Sequence, residues 1–167
     1  MSEVEQSKGV SRRTVTKAMA WAVPAVALAA PIPAFAVSGP PPQINAGTAC
    51  KSPGNSCSSF VKGYNVPATV YNPDPTKTIW ITAITITNNT TGINLAPSTF
   101  PALPIQINPG ATINVVFQAQ SSNSANVTGS FDFNITWGHA ANGSDHDHSP
   151  IPVHIVINGT PPGCVCP

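Results

Sequence analysis

The sequence predicts an all-β fold, an antiparallel sandwich of about seven strands. Three observations carry this expectation. Ile113, Val115, Phe117 and Ala119 alternate with Thr112, Asn114, Val116 and Gln118. Phe131, Phe133, Ile135 and Trp137 alternate with Asp132, Asn134 and Thr136. A period of two puts each apolar set on one face of a strand. Turn-forming residues separate such runs at the spacing a sandwich requires, and no amphipathic helical period follows residue 36.

The first 36 residues read as an export signal and lie outside the predicted fold. Arg12 and Arg13 stand in Ser-Arg-Arg-Thr-Val-Thr-Lys, ahead of a mild apolar run over residues 18–30. Ala34-Phe35-Ala36 then supplies small residues where a signal peptidase reads, so cleavage between Ala36 and Val37 is expected. The arginine pair resembles the twin-arginine signal. Val15 and Thr16 depart from its usual Phe-Leu pair, which leaves ordinary Sec export as the alternative. The apolar run is shorter than the ~20 residues a bilayer span requires, and Pro24 interrupts it. Membrane contact is therefore expected only through the signal, during export.

Cleavage there leaves 131 residues, enough for one core. That part holds three lysines against four aspartates, a net charge of −1. Without a basic patch, nucleic acid is not an expected partner. A neutral surface rich in Asn, Thr and Ser permits self-association.

Residues 37–58 read as a proline-rich leader, extended around Gly39-Pro40-Pro41-Pro42. The sandwich is expected over residues 59–158. Strands are predicted over 59–63 and 65–71, the second ending at Asn72-Pro73-Asp74-Pro75, where two prolines deny ladder donors. Residues 78–88 are rich in Ile and Thr and form the most strand-like run. Their apolar phase slips between Ile79/Ile81 and Ile84/Ile86. A bulge near Thr82 or Ala83, or burial on both faces, would reconcile it. Residues 93–95 make a short strand at best, and residues 96–102, with two prolines, read as a crossing to the strand at Leu103. Asn108-Pro109-Gly110 fits a type II turn, with proline presetting the first central angle and glycine taking positive φ at the second. The last strand is predicted over 151–157, with Ile151, Val153, Ile155 and Ile157 on one face and His154 on the solvated one. Trp80, Phe131, Phe133 and Trp137 are expected in the core, and Tyr64 and Tyr71, near turns, at the surface.

Together these features resemble the immunoglobulin-like domains of bacterial exported and surface proteins. The residues that carry the likeness are Val70-Tyr71-Asn72, the Ile/Thr-rich run from Trp80 to Asn88, the turn from Ile107 to Gly110, Val115-Val116-Phe117 and Gly129-Ser130-Phe131. The export signal resembles those of actinobacterial proteins in style. The Cys…Trp…Cys spacing of antibody domains is missing, since no cysteine lies between Cys57 and Cys164. The resemblance implies a non-enzymatic binding, structural or assembly role. The protein would be secreted or associated with the cell envelope, and its partner a cell-wall component, another surface protein or a second copy.

Cys50, Cys57, Cys164 and Cys166 all follow the export signal, and their even number suits disulfides in an oxidising compartment. A direct Cys164–Cys166 bridge would be strained. Bridges from the Cys50/Cys57 segment to the tail, residues 159–167, are therefore expected. Local pairing and a four-thiolate metal site are the alternatives. His139, Asp145, His146, Asp147 and His148 form the one cluster with metal-ligand chemistry, suited to a divalent transition metal. The competing reading is a hydrated loop. No nucleophile motif or phosphate loop is present, and no glutamate remains after residue 36. No catalytic residue and no resident cofactor are expected.

Overall fold

The runs with a two-residue apolar period are strands in the computed structural model, which describes residues 39–54, 62–122, 126–145 and 148–164. These belong to one unit, Ser38–Pro167. The signal, its cleavage point at Ala34, Ala36 and Val37, and Arg12 and Arg13 lie outside the described residues.

In chain order the strands are β1 (Gln43–Ala46), β2 (Cys50–Lys51), β3 (Gly63–Tyr71), β4 (Ile79–Thr87), β5 (Ala96–Phe100), β6 (Ile105–Ile107), β7 (Thr112–Gln120), β8 (Gly129–Gly138) and β9 (Ile151–Ile157). The larger sheet runs β1-β3-β7-β5, with β2 also on β3. The smaller runs β6-β4-β8-β9. Every strand pairing is antiparallel. Placing β1, β3, β7 and β5 as A, B, E and D, and β4, β8 and β9 as C, F and G, gives the two-sheet order of an immunoglobulin constant-type sandwich. β2 and β6 are additions to it.

The core lies between the sheets. From β3 come Tyr64, Val66, Ala68 and Val70, and from β7 Val115, Phe117 and Ala119, all buried. They face Ile79, Ile81 and Ile84 of β4 and the alternating set of β8. The Phe133 ring lies 5.2 Å from that of Phe131 and 5.6 Å from that of Phe117. Each such side chain contributes about 1.5–3 kcal/mol on burial. The phase slip in β4 is resolved by a bulge. Ile81 pairs with Trp137 and Ala83 with Thr136, so Thr82 has no opposite residue and both isoleucine pairs turn inward. At the β6–β7 turn, Ala111 N–H donates to the Asn108 carbonyl at 3.0 Å, and Gly110 has φ of 65°, as a type II turn requires.

Four expectations need correction. Gln43–Ala46, read as leader, pairs with β3 as an edge strand. Ala96–Phe100, read as a crossing, is the other edge of the larger sheet. There Pro97 is tolerated because an edge strand has one side without a partner. Tyr64 has no exposure, since β3 is continuous from Gly63 and Tyr64 shares the inward phase of Val66 and Val70; burial raises its phenol pKa. Trp80 is only half-buried, because its neighbours Ile79 and Ile81 take the inward phase. Residues 59–61 of the first predicted strand lie outside the described residues.

Candidate functional site

Two regions carry chemistry: the histidine loop beyond β8 and the outer face of the larger sheet. The loop is built by Asp145. Its carboxylate accepts from the backbone N–H of His139 and, at 3.2 Å, from that of Ala140. Gly143 N–H donates to the Ala140 carbonyl at 3.0 Å, and Ser144 N–H to Asn142 Oδ1 at 3.0 Å. Gly138 makes room for this, because a Cβ there would meet the Asp145 carboxyl carbon at 2.9 Å. Burial raises the Asp145 pKa. The N–H groups of His139, Asp145 and Ala140, with the nearby His148, outweigh that and hold the carboxyl below the usual range.

His139 and His148 are brought together, with ring centroids 5.1 Å apart. His148 stacks on Trp137 at 4.0 Å, its Nε2 lies 3.8 Å from Asp145 Oδ2, and its side chain is buried. His139 Nδ1 lies 3.1 Å from the Thr78 carbonyl oxygen, which can only accept. Nδ1 therefore carries a proton, and in the neutral form of the ring the lone pair lies on Nε2. That nitrogen is buried without a hydrogen-bond partner among the described residues. His146 and Asp147 lie outside the described residues. Among the described residues no three His, Cys, Asp or Glu side chains are grouped to hold a metal ion. The reason is visible: Asp145 is turned toward backbone N–H groups and His148 toward an indole.

Of the four cysteines, Cys50 and Cys164 are bridged across 114 residues, joining the first segment to the tail as the sequence suggested. The tail also runs parallel to β2. Lys51 N–H donates to the Pro162 carbonyl at 2.7 Å, and Cys164 N–H to the Lys51 carbonyl at 2.8 Å. Cys57 and Cys166 lie outside the described residues.

The bridge borders the second region. Register places Pro67 opposite Val116 and Val116 opposite Phe100, so an apolar row crosses β3, β7 and β5 on the outward face. Phe100 is 55% exposed. A hollow of about 490 Å³ lies on one side of the row, bordered by Asn45, Thr69, Asn114 and Pro101. A second, of about 240 Å³, lies on the other side, bordered by Asn65, Gln118 and the Cys50–Cys164 bridge. Ser98 Oγ donates to Gln118 Oε1 at 2.6 Å, and Gln120 Nε2 to Ser98 Oγ at 3.2 Å, which fixes the amide of Gln118 at the rim. Asn65 is 7% exposed, and its Oδ1 has no hydrogen-bond partner among the described residues.

No protein-family model matches this chain, and no curated protein sequence matches it either.

Sequence reasoning found the histidine loop and missed this face. One signal was present: Val116 stands in the polar phase of β7, between Asn114 and Gln118. An apolar residue there, with its neighbours across the sheet unknown, does not by itself disclose a row. Among the described residues, those that border the two hollows carry no ionisable side chain, Cys50 and Cys164 being bridged.

Proposed function

We propose that this is an exported, non-enzymatic immunoglobulin-like domain with a binding or assembly role at the cell surface. The observation that carries the reading is the outward face of the larger sheet, where the described residues of two adjoining hollows present apolar and amide groups and no ionisable side chain. Binding sites combine an apolar lining with a few fixed polar groups in this way. The Cys50–Cys164 bridge supports export, since such bonds persist in oxidising compartments. Among the described residues no helix is long and apolar enough to cross a membrane.

The test is the intact mass of the natively produced protein, measured in each cell fraction with and without reductant. The expected result is a chain beginning at Val37 in the medium or envelope fraction, gaining two hydrogens per bridge on reduction. A cytosolic chain retaining residues 1–36 with free thiols would overturn the reading.

A second reading is metal binding at the loop, favoured by the buried lone pair on His139 Nε2. His139, His148 and Asp145 would be its ligands, with Asp145 giving up its backbone donors. Metal analysis of protein purified without a histidine tag decides it, and occupancy below about a tenth of an equivalent sinks it.

A further inference from the structure

We propose that the outer face of the larger sheet binds a neutral oligosaccharide of pyranose rings. This rests on the reading above that the domain binds a partner, and it names that partner's chemistry.

The ligand's charge follows from the lining. Asn45, Thr69 and Asn114 border one hollow, and Asn65 and Gln118 the other, with no cation or anion among them. A charged ligand would lose hydration here and meet no counter-charge. Its shape follows from the apolar row. Pro67, Val116 and Phe100 form a strip with amides on both sides and the Thr69 hydroxyl on one, so the ligand has apolar faces and hydrogen-bonding edges. A pyranose ring has that form, with C–H bonds on its faces and hydroxyls around its rim. Aromatic and proline surfaces take the first, and carboxamides the second.

The buried oxygen of Asn65 is the independent sign of a ligand. An amide oxygen only accepts, and a nearly enclosed acceptor without a partner is rare in folded proteins. Once the Asn65 side chain turns toward the hollow it borders, a sugar hydroxyl lying on the row beside the Cys50–Cys164 bridge supplies the missing donor. An extended peptide fits less well, because it would pair through its main chain at a sheet edge, whereas these groups lie on a sheet face. A lipid chain would leave the amides unpaired. Asn65 and Thr69 are four residues apart on β3, about 13 Å at ~3.3 Å per residue, which favours a short oligosaccharide over a single ring.

Affinity electrophoresis of the natively produced protein, through gels containing neutral glucan, mannan, galactan or chitin-derived polymers, tests this. The expected result is retardation by at least one neutral polymer. Phe100→Ala should weaken it about tenfold or more, since an exposed aromatic anchor is lost. Asn65→Leu, which removes the unpartnered oxygen at similar size, should weaken it as well while the melting temperature holds. Val156→Ala, at an exposed site on the other sheet, should change nothing. Retardation insensitive to Phe100→Ala, or seen only with charged polymers, overturns the inference. If neutral polymers fail but isolated cell envelopes retain the protein through Phe100, the binding role stands and the carbohydrate falls. If a neutral polymer binds at this face and is cleaved, the carbohydrate stands and the non-enzymatic reading falls.

Discussion

The side-chain nitrogen of Asn72 lies 3.1 Å from the carbonyl oxygen of Ile107, thirty-five residues further along the chain. The same nitrogen reaches the carbonyls of Lys77 at 2.8 Å and Asn108 at 3.2 Å, while Oδ1 accepts from the N–H of Asp74 at 3.0 Å. The residue has no exposure. It therefore satisfies the backbone of two turns, one where the chain leaves the larger sheet for the smaller and one where it returns. Asn72→Ala should cost about 2–4 kcal/mol, because buried carbonyls lose their donor. Asn72→Asp should cost more, since a carboxylate cannot donate. Urea denaturation checks both: the midpoint should fall with an unchanged slope.

The Cys50–Cys164 bridge closes a loop of more than a hundred residues. In the chain-entropy account this is worth about 4–5 kcal/mol, with measured effects on small secreted domains of about 2–5 kcal/mol. The double variant Cys50→Ala, Cys164→Ala should melt roughly 10 °C or more below the parent in a calorimeter. An unchanged melting temperature would show that the tail is held by its backbone bonds to Lys51 alone.

Acid should destabilise the fold through its aspartates. The pKa of Asp74 is lowered first by the N–H of Thr76, then by those of Lys77 and the Thr76 hydroxyl. That of Asp132 is lowered first by Asn88, then by His154. Asp145 is held down as well. A carboxyl whose folded pKa lies below its unfolded value stabilises the fold above the unfolded value, about 3.9, and that contribution fades as pH falls through the folded one. The urea midpoint should therefore drop below about pH 4. Asp74→Asn should make that acid decline shallower, and an unaltered decline would remove Asp74 from the account.

Phe133 and Trp80 separate buried from merely strand-borne aromatics. Phe133→Ala should cost about 3–5 kcal/mol, as a ring wedged between Phe117 and Phe131 leaves a cavity. Trp80→Ala should cost less than about 1.5 kcal/mol, because its ring faces outward. Equal losses would contradict the observed phase of β4.

Gly138→Ala should disturb the histidine loop selectively. Its new methyl would occupy the place of the Asp145 carboxylate, and the His148 ring on Trp137 would shift with it. Tryptophan fluorescence should change while far-ultraviolet dichroism does not.

The parts of this fold that were legible in the sequence are those where one strand's own side chains set its faces. β7, β8 and β9 alternate cleanly, and the slip in β4 announced its bulge. The edge strands were not legible. Gln43–Ala46 alternates over only four residues and Ala96–Phe100 hardly at all, and both are strands because β3 and β7 offer them a ladder. Tyr64 misled for a related reason: turn-like neighbours suggested exposure, while its phase relative to Val66 decided burial. The histidine cluster was visible as chemistry, but only the folded loop shows Asp145 occupied by backbone donors. The apolar row on the outer face was beyond reach, because Pro67, Val116 and Phe100 become neighbours only through two registers that the sequence does not state.

Thr82 gives β4 an asymmetric tolerance to length change. Losing that single residue would restore regular pairing and leave Ile79, Ile81, Ile84 and Ile86 in one continuous inward phase. Gaining or losing one elsewhere in the strand would turn an isoleucine pair out into water, whereas a gain beside Thr82 would merely enlarge the irregularity. Drift in this strand is thus confined to exchanges of one residue for another, with a narrow window around Thr82 where the count itself can change and the sandwich survive.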